Sequence, residues 1–245
     1  MDKIKLQKYF TDCGIMSRRA AEREIVAGNV TVNGSVATIG DRIDPENDTV
    51  MWSGKTIMPA FDRHTYIALN KPLGYVTTMS DEKGRKTAAD LVSDLGKRVY
   101  PVGRLDMYSE GLIIFTDDGE LANRLTHPSN DFSKKYIVKV KGECTQRDID
   151  NLLSPMELDG YKLRPIKAML LKSGECDREG NVYSTIAITL FEGRNRQIRR
   201  MCEKCGLVVM RLRRIRVGNI RLGDLPIGKW RHLTDEEIDF LKEQV

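Results

Sequence analysis

The segment PVGRLDMYSEGLIIFTDDG, from Pro101 to Gly119, is the most informative stretch of this sequence. Gly103 and Gly111 frame a loop between two short apolar stretches, and the second stretch predicts a strand at 112–115. Within the loop, Asp106 follows Arg104 by two residues. A loop carboxylate near an arginine can be a salt bridge or a turn residue, and on its own this pattern favours such a structural role over a catalytic one.

Other short apolar runs on both sides of this segment predict further strands. They lie at 66–69, before the segment, and at 135–140 and 185–190, after it. A helix is predicted from the turn at Asp117 to Leu125, and another after Thr234, which has capping-box spacing with Glu237. These elements indicate an α+β fold whose sheet is mixed and largely antiparallel, with flanking helices.

The first 53 residues predict a compact module of their own. One helix ends at Cys13, and a second is predicted over 18–27 after Ser17, a good N-cap residue. Asn33-Gly34 stands between alternating apolar residues, which is a strong signal for a tight hairpin. A polar, proline-containing stretch over 54–64 is the candidate linker.

This pattern divides the chain into two predicted domains. The first covers residues 1–58 and the second covers residues 63–245.

The distribution of charge points to a polyanionic partner. The net charge of the 245 residues is only +5, but the basic segment, residues 190–221, holds ten basic residues against two acidic ones. Nine of the ten are arginines, whose guanidinium groups bind phosphate and stack on bases. The alternative is an ordinary solvated basic surface.

Several protein classes are disfavoured by what the sequence lacks. Its apolar runs are much shorter than the ~20 residues of a membrane helix, and the N-terminus has no apolar signal-peptide core. Five cysteines show no disulfide framework, so we expect a cytoplasmic protein. Cys202 and Cys205 form a single C-x-x-C pair, which favours one turn of a helix over a zinc site. No metal and no cofactor are therefore expected.

The N-terminal module resembles a known RNA-binding fold. Residues 3–50 resemble the alpha-L RNA-binding module, which a small-subunit ribosomal protein shares with several RNA-modifying enzymes. The resemblance implies that Arg18, Arg19 and Arg23 contact structured RNA. A helix N-terminus with two arginines suits phosphate binding, although an ordinary surface helix would carry the same residues.

The rest of the chain resembles the RsuA/RluB family of ribosomal RNA pseudouridine synthases. The segment Gly-Arg-Leu-Asp at 103–106 is similar to the signature of that family. Three further segments are similar to its other motifs in order and spacing: LNKPLG at 69–74, KKYIV at 134–138 and EGRNRQIRRM at 192–201. Tyr108 departs from the family pattern, because that position is usually small and polar.

The resemblance implies roles for four residues. Asp106 would be the catalytic nucleophile or base, attacking the sugar or abstracting a proton from it to give a glycal. Tyr136 would stack on the uracil and assist proton transfer from C5, and Arg199 would pair with the catalytic carboxylate. Arg104 would help to hold the gap that a flipped-out nucleotide leaves.

Further basic residues of these motifs and of the basic segment are expected to contact RNA: Lys71, Arg194, Arg196, Arg213 and Arg214.

The predicted activity is isomerisation of a specific uridine to pseudouridine in ribosomal RNA. The reaction breaks a C–N bond and forms a C–C bond, and it needs no redox agent or metal. Arg196 favours the large-subunit (23S) branch of the family, since the small-subunit branch tends to have histidine there. The alternatives are a small-subunit (16S) enzyme and a non-catalytic RNA-binding protein of ribosome assembly. The expected partner is ribosomal RNA or a pre-ribosomal particle, with no membrane and no obligatory protein partner.

Overall fold

The computed structural model describes residues 3–58, 64–127 and 132–243. The chain forms two compact units. The first consists of Met1–Thr65 with two short segments, Leu95–Val99 and Asp117–Gly119, and the second contains the remainder. The predicted boundary between the domains falls at 59–63, outside the described residues, and stays a prediction.

The first unit is built from two short helices and small antiparallel sheets. Its elements are β1 (Ile4–Lys5), α1 (Leu6–Asp12), α2 (Arg18–Val26), β2 (Val30–Val32), β3 (Ser35–Val36), β4 (Arg42–Ile43), β5 (Val50–Trp52) and β6 (Lys55–Ile57). Strands β3, β2, β5 and β6 form one sheet in that order, and β1 pairs with β4.

Local sequence signals account for these elements. The Ser17 side chain accepts a hydrogen bond from Ala20 N–H at 3.2 Å and caps α2, as predicted. Asn33 and Gly34 have φ of 51° and 83°, the left-handed conformation that a two-residue hairpin turn requires. The core of this unit is apolar and fully enclosed: Leu6, Phe10, Ala21, Ile25, Val30, Ile43 and Val50.

The other elements form the larger part of the chain. They are β7 (Tyr66–Lys71), a 3-10 helix (Asp90–Leu95), β8 (Tyr100–Val102), β9 (Glu110–Thr116), α3 (Gly119–Thr126), β10 (Lys134–Lys141), α4 (Gln146–Leu153), β11 (Glu157–Leu158), β12 (Tyr161–Lys162), β13 (Lys167–Cys176), β14 (Val182–Leu190), α5 (Gln197–Lys204), β15 (Val209–Val217), β16 (Ile220–Arg221), β17 (Trp230–His232) and α6 (Asp235–Glu243).

A nine-stranded sheet organises the second unit. Its main path runs β13-β14-β10-β15-β9-β7-β17, with β16 beside β15 and β8 beside β9. The strand pairs are antiparallel except β9 with β15, which is parallel. The predicted α+β class with a largely antiparallel sheet is therefore confirmed. The capping box before α6 is also present, because Thr234 and Glu237 exchange side-chain to backbone hydrogen bonds at 3.0 and 3.2 Å.

Gly111 permits the parallel junction between β9 and β15. It lies opposite Arg214 with φ of 104°, and a Cβ added there would stand 2.2 Å from the Arg214 carbonyl oxygen. Only a residue without a side chain allows the two backbones to approach so closely. The junction joins the start of β9, and with it the preceding loop, to the centre of the sheet.

No helix among the described residues is long and apolar enough to cross a membrane.

Candidate active site

A cavity of about 610 Å³ opens in the second unit. It lies between the loop at 103–109, strands β10 and β15, and the segment that leads into α5. Its charged and aromatic lining residues include Arg104, Asp106, Lys134, Tyr136, Tyr161, Glu192, Arg194, Arg196 and Arg214. The cavity therefore brings together three of the four segments on which the resemblance rests.

The loop that carries Asp106 is held in place from both sides. Thr77 fixes the preceding residue, since its hydroxyl donates to the Leu105 carbonyl at 2.7 Å and accepts from Leu105 N–H at 3.2 Å. The Asp106 carbonyl accepts from Ser109 N–H at 3.0 Å, which closes a turn. Gly103 begins the loop with φ of 75°. The carboxylate thus projects from a loop with little freedom to move.

The Asp106 side chain is half-buried and makes no hydrogen bond within the described part of the chain. The cations of Lys71 and Arg199 act on it electrostatically. The cavity's other acidic lining residue, Glu192, accepts hydrogen bonds from Gln197 Nε2 at 2.9 Å and Arg164 N–H at 3.1 Å. Asp106 is therefore the carboxylate whose oxygens are available to a molecule in the cavity.

Tyr136 lies on the same cavity, as the resemblance implies. Its strand, β10, has alternating burial, and Tyr136 is on the buried side with Val138. Across the strands it pairs with Arg214 of β15 and Ile188 of β14. The ring is therefore fixed in the wall by its neighbours on both sides.

Lys134 is a cavity residue that the sequence reasoning missed. Burial, together with the nearby charge of Arg214, lowers the pKa of Lys134 to about 8. The available signal was the strand periodicity, because residues two apart on a strand share a face and Lys134 stands two residues before Tyr136.

Lys71 is not placed as its predicted role in RNA contact would require. Its side chain is fully buried, and its ammonium group donates to the carbonyls of Pro72 at 3.0 Å and Tyr75 at 2.8 Å. Burial lowers its pKa to about 8. Lys71 ends β7, all six residues of which are buried, so its charge can act on Asp106 from inside the protein but cannot reach a phosphate.

The environment of Arg214 also differs from the one expected, since Arg213 and Arg214 were both predicted to contact RNA. It is only 5% exposed, it lines the cavity, and its Nε donates to the Leu112 carbonyl at 2.6 Å. Arg213 is its neighbour on β15 and lies on the opposite face of the sheet.

The basic segment is therefore divided among different environments. Arg200 pairs with Asp159 at 2.5 Å, and Arg211 pairs with Glu110 at 2.7 Å. The residues at 190–221 do not form one continuous surface for RNA.

Arg199 lies near Asp106 without forming an ion pair with it in the described residues. Its guanidinium donates to the Tyr108 carbonyl at 2.5 Å and to the Val209 carbonyl at 3.4 Å. The direct pairing expected from the resemblance is thus not found among the described residues, and Arg199 instead links α5 and β15 to the loop at 103–109. Tyr108 itself is 61% exposed.

Exposed arginines surround the cavity mouth. Arg104, Arg194 and Arg196 line it, and the Arg194 guanidinium lies over the ring of Tyr161 at 3.0 Å from its centroid. Arg196 has φ of 50° and precedes α5 as its N-cap residue. These three residues place positive charge at the mouth of the cavity.

The arginines predicted for the first unit lie on one helix. Arg18, Arg19 and Arg23 are all exposed on α2, and the first two stand in its first turn. Their side chains are therefore accessible to an anionic partner.

Cys202 and Cys205 behave as the helical interpretation predicted. Cys202 is fully buried in α5, Cys205 is the C-cap residue, and burial raises the pKa of the Cys202 thiol to about 12. Among the described residues no three His, Cys, Asp or Glu side chains are grouped as metal ligands would be.

Arg213 and Arg214 are expected to respond differently to alanine substitution. Arg214→Ala removes a buried cation of the cavity, so we expect the single-turnover rate to fall about 10²-fold with little change in the salt dependence of binding. Arg213→Ala should flatten the log–log salt slope by somewhat less than ~1. Measurements of RNA affinity and single-turnover rate over a salt series distinguish the two variants. Equal effects of both substitutions would contradict the placement of Arg214 in the cavity and of Arg213 on the opposite face of the sheet.

Comparisons with known proteins agree with these features. Residues 65–204 match the RNA pseudouridylate synthase family, and residues 14–50 match the S4 domain. The chain is 39% identical over 240 residues to an uncharacterized RNA pseudouridine synthase of Aquifex aeolicus, which covers 97% of this chain and 93% of that protein.

Two named enzymes are similarly related. The dual-specificity RNA pseudouridine synthase RluF of Escherichia coli K12 is 41% identical over 241 residues, or 98% of this chain and 79% of RluF. The ribosomal large subunit pseudouridine synthase B of Vibrio cholerae is 37% identical over 246 residues, or 98% of this chain and 75% of that enzyme.

A solved structure shares the whole fold. The crystal structure of a pseudouridylate synthase superposes with a TM-score of 0.67 at 26% identity, covering 97% of this chain and 99% of that one. The cavity with its loop aspartate, the sheet and the family matches lead to one conclusion. This chain belongs to the RNA pseudouridine synthase family, isomerases that act on RNA, and carries an S4 domain before its catalytic domain.

Proposed function

We propose that this enzyme converts a specific uridine of large-subunit ribosomal RNA to pseudouridine, with Asp106 as the nucleophile or base. The observation that carries the proposal is the Asp106 carboxylate, which stands in the cavity without a hydrogen-bond partner in the described residues and faces a site walled by Tyr136. A carboxylate left available in this way suits covalent or base catalysis on a bound nucleotide.

The reaction proceeds on a nucleotide that has left the RNA stack. Extruding a base costs a few kcal/mol, so the enzyme has to offer favourable contacts to the flipped nucleotide. In this proposal Tyr136 stacks on the uracil and assists proton transfer at C5. Asp106 acts on the sugar as the C–N bond breaks, and the base rotates before the C–C bond forms.

The cations around the cavity have separate tasks. Lys134 and Arg214, inside it, balance negative charge that develops on the uracil. Arg104, Arg194 and Arg196, at its mouth, hold the phosphates on either side of the target. Arg199 positions the loop through the Tyr108 carbonyl and stabilises the Asp106 charge from a distance.

The ribosomal target is supported by the relatives. Enzymes named as large-subunit synthases in Vibrio cholerae and Pseudomonas aeruginosa are 37% and 40% identical to this chain. Because RluF is named as a dual-specificity enzyme, the test has to survey all RNA and not one molecule.

Pseudouridine mapping across total RNA tests the proposal. RNA from cells with and without the gene is compared, and purified enzyme is then added to unmodified large-subunit transcript. We expect one site in that RNA to depend on the gene and to be restored in vitro. If the gene-dependent pseudouridine lay only in small-subunit RNA, the proposed large-subunit target would be wrong. If no RNA contained a gene-dependent pseudouridine, the proposed activity would be wrong.

The exposed arginines of α2 are expected to contribute to RNA docking. Replacing Arg18, Arg19 and Arg23 together by Gln should weaken binding to structured ribosomal RNA and flatten its salt slope by about 2, because up to three phosphate contacts are lost. The turnover of bound substrate should change far less than the affinity. Binding titrations over a salt series and single-turnover rates at saturating enzyme measure the two effects.

The matched control replaces Lys5, Lys8 and Lys55, which are cations of the same unit outside α2. It removes the same formal charge. An equal loss of affinity in both triple variants would show that α2 is not the docking element.

A further inference from the structure

The large sheet has a second face that the cavity does not use. On β10, the cavity residues Lys134 and Tyr136 flank Lys135, and on β15 the cavity residue Arg214 follows Arg213. Because neighbouring side chains on a strand point to opposite faces, Lys135 and Arg213 lie on the side of the sheet away from the cavity.

We call this surface the back face and define it by three rows that cross β13, β14, β10 and β15. The first row is Lys167, Thr189, Lys135 and Arg216; the second is Met169, Ala187, Ile137 and Arg213; the third is Lys172, Thr185, Lys139 and Arg211. Seven of these twelve residues are basic and none is acidic.

Acidic neighbours offset only part of this charge. Arg211 pairs with Glu110, and Lys172 pairs with Glu175 at 2.7 Å. Within the described residues, no acidic side chain forms an ion pair with the other basic members: Lys135, Lys139, Lys167, Arg213 and Arg216. A group of five such cations on one sheet face creates a local positive potential.

The back face is open and large enough for a nucleic-acid strand. Lys167 and Arg211 are exposed, Met169 is 56% exposed, and Lys135 and Arg213 are half-buried. Strands lie about 4.8 Å apart, so four strands span ~14 Å. A nucleic-acid strand in a duplex places one phosphate per ~3.4 Å of axis, or about four phosphates over that width.

We propose that the back face binds the sugar-phosphate backbone of an RNA segment other than the one in the cavity. The proposal rests on the proposed function, because the partner is a second helix of the same folded RNA. The cavity lies on the opposite side of the sheet, so a nucleotide held there cannot also contact the back face. A polyanion fits a surface with five cations that lack acidic partners, and such contacts give affinity without sequence readout.

The test uses the full-length protein and a generic RNA duplex of about 20 base pairs as the probe. The variant carries Lys135→Gln, Lys139→Gln and Lys167→Gln together. We expect its affinity at about 50 mM salt to fall at least tenfold and its log–log salt slope to flatten by about 2 to 3. An affinity and a salt slope equal to those of the wild type would overturn the proposal and favour a protein as the partner of the back face.

A control variant replaces three exposed lysines elsewhere in the second unit: Lys83, Lys229 and Lys242. It has the same change of net charge, so an equal loss of affinity in both variants would also overturn the proposal. A melting curve of each variant confirms that it is folded.

Backbone footprinting on a large-subunit transcript provides a second readout. In the wild type we expect a protected RNA segment, distinct from the cavity-bound one, that the back-face variant no longer protects. An unchanged footprint would overturn the proposal. Neither measurement depends on isomerisation, so failure here is distinguishable from failure of the proposed activity.

Discussion

Replacement of Asp106 by Asn is expected to abolish pseudouridine formation while leaving RNA affinity nearly unchanged. Asn keeps the size of the side chain but is a far weaker nucleophile and base than a carboxylate. Loss of such a group lowers the rate by a factor of about 10⁴ or more. The loop should keep its shape, because Thr77 and Ser109 hold it through backbone atoms that the substitution does not alter.

Single-turnover assays with saturating enzyme measure this effect, and equilibrium binding of the same RNA gives the affinity. The matched control is Asp239→Asn, which makes the same change at an exposed position of α6 and should react at the wild-type rate. Turnover of Asp106→Asn within a few-fold of the wild type would show that another group carries the chemistry.

Gly111→Ala is expected to destabilise the catalytic domain by about 3 kcal/mol or more and to remove activity. The new methyl group would stand 2.2 Å from the Arg214 carbonyl oxygen and 2.9 Å from its nitrogen. Both are backbone atoms in the middle of a sheet, so no side-chain rotation relieves the clash. The parallel junction of β9 with β15 has to separate, and it positions both the Asp106 loop and Arg214.

Urea unfolding followed by fluorescence and circular dichroism measures the loss of stability. Gly180→Ala is the control, because Gly180 also has a positive φ, 78°, but nothing lies within 4 Å of its added Cβ. It should cost only about 1 kcal/mol of backbone strain. Equal shifts of the two unfolding midpoints would mean that the β9–β15 backbones do not approach as closely as described.

Much of the local structure could be predicted from short-range signals. Ser17 caps α2, Asn33-Gly34 makes the hairpin, and Thr234 with Glu237 caps α6, because each depends on residues within a few positions of each other. Four strands of the large sheet, β7, β9, β10 and β14, also follow local apolar patterns and extend beyond their predicted bounds. The long strands β13 and β15 were not predicted.

The candidate site was predicted through the resemblance and not through physical reasoning about single residues. An aspartate in a loop is ordinarily a turn or salt-bridge residue, and nothing local distinguishes Asp106 from one. Its place in one cavity with Tyr136, 30 residues later, depends on β15 lying between β9 and β10 in the sheet. Lys134 was missed although the strand period would have placed it beside Tyr136.

The sequence by itself determined the helix caps, the hairpin, four strands of the large sheet, the α+β class, the family and the identity of the motif residues. Only the tertiary structure decided which cations are buried and which partners they take. From the sequence alone, Lys71 and Arg214 are expected to be exposed, as charged residues usually are. They are buried because β7 and β15 are internal strands of the sheet. Arg199 was assigned to Asp106, but the Tyr108 carbonyl is its hydrogen-bond partner. Burial and partner choice depend on the order of strands in the sheet, which is set by long-range packing and not by any local pattern.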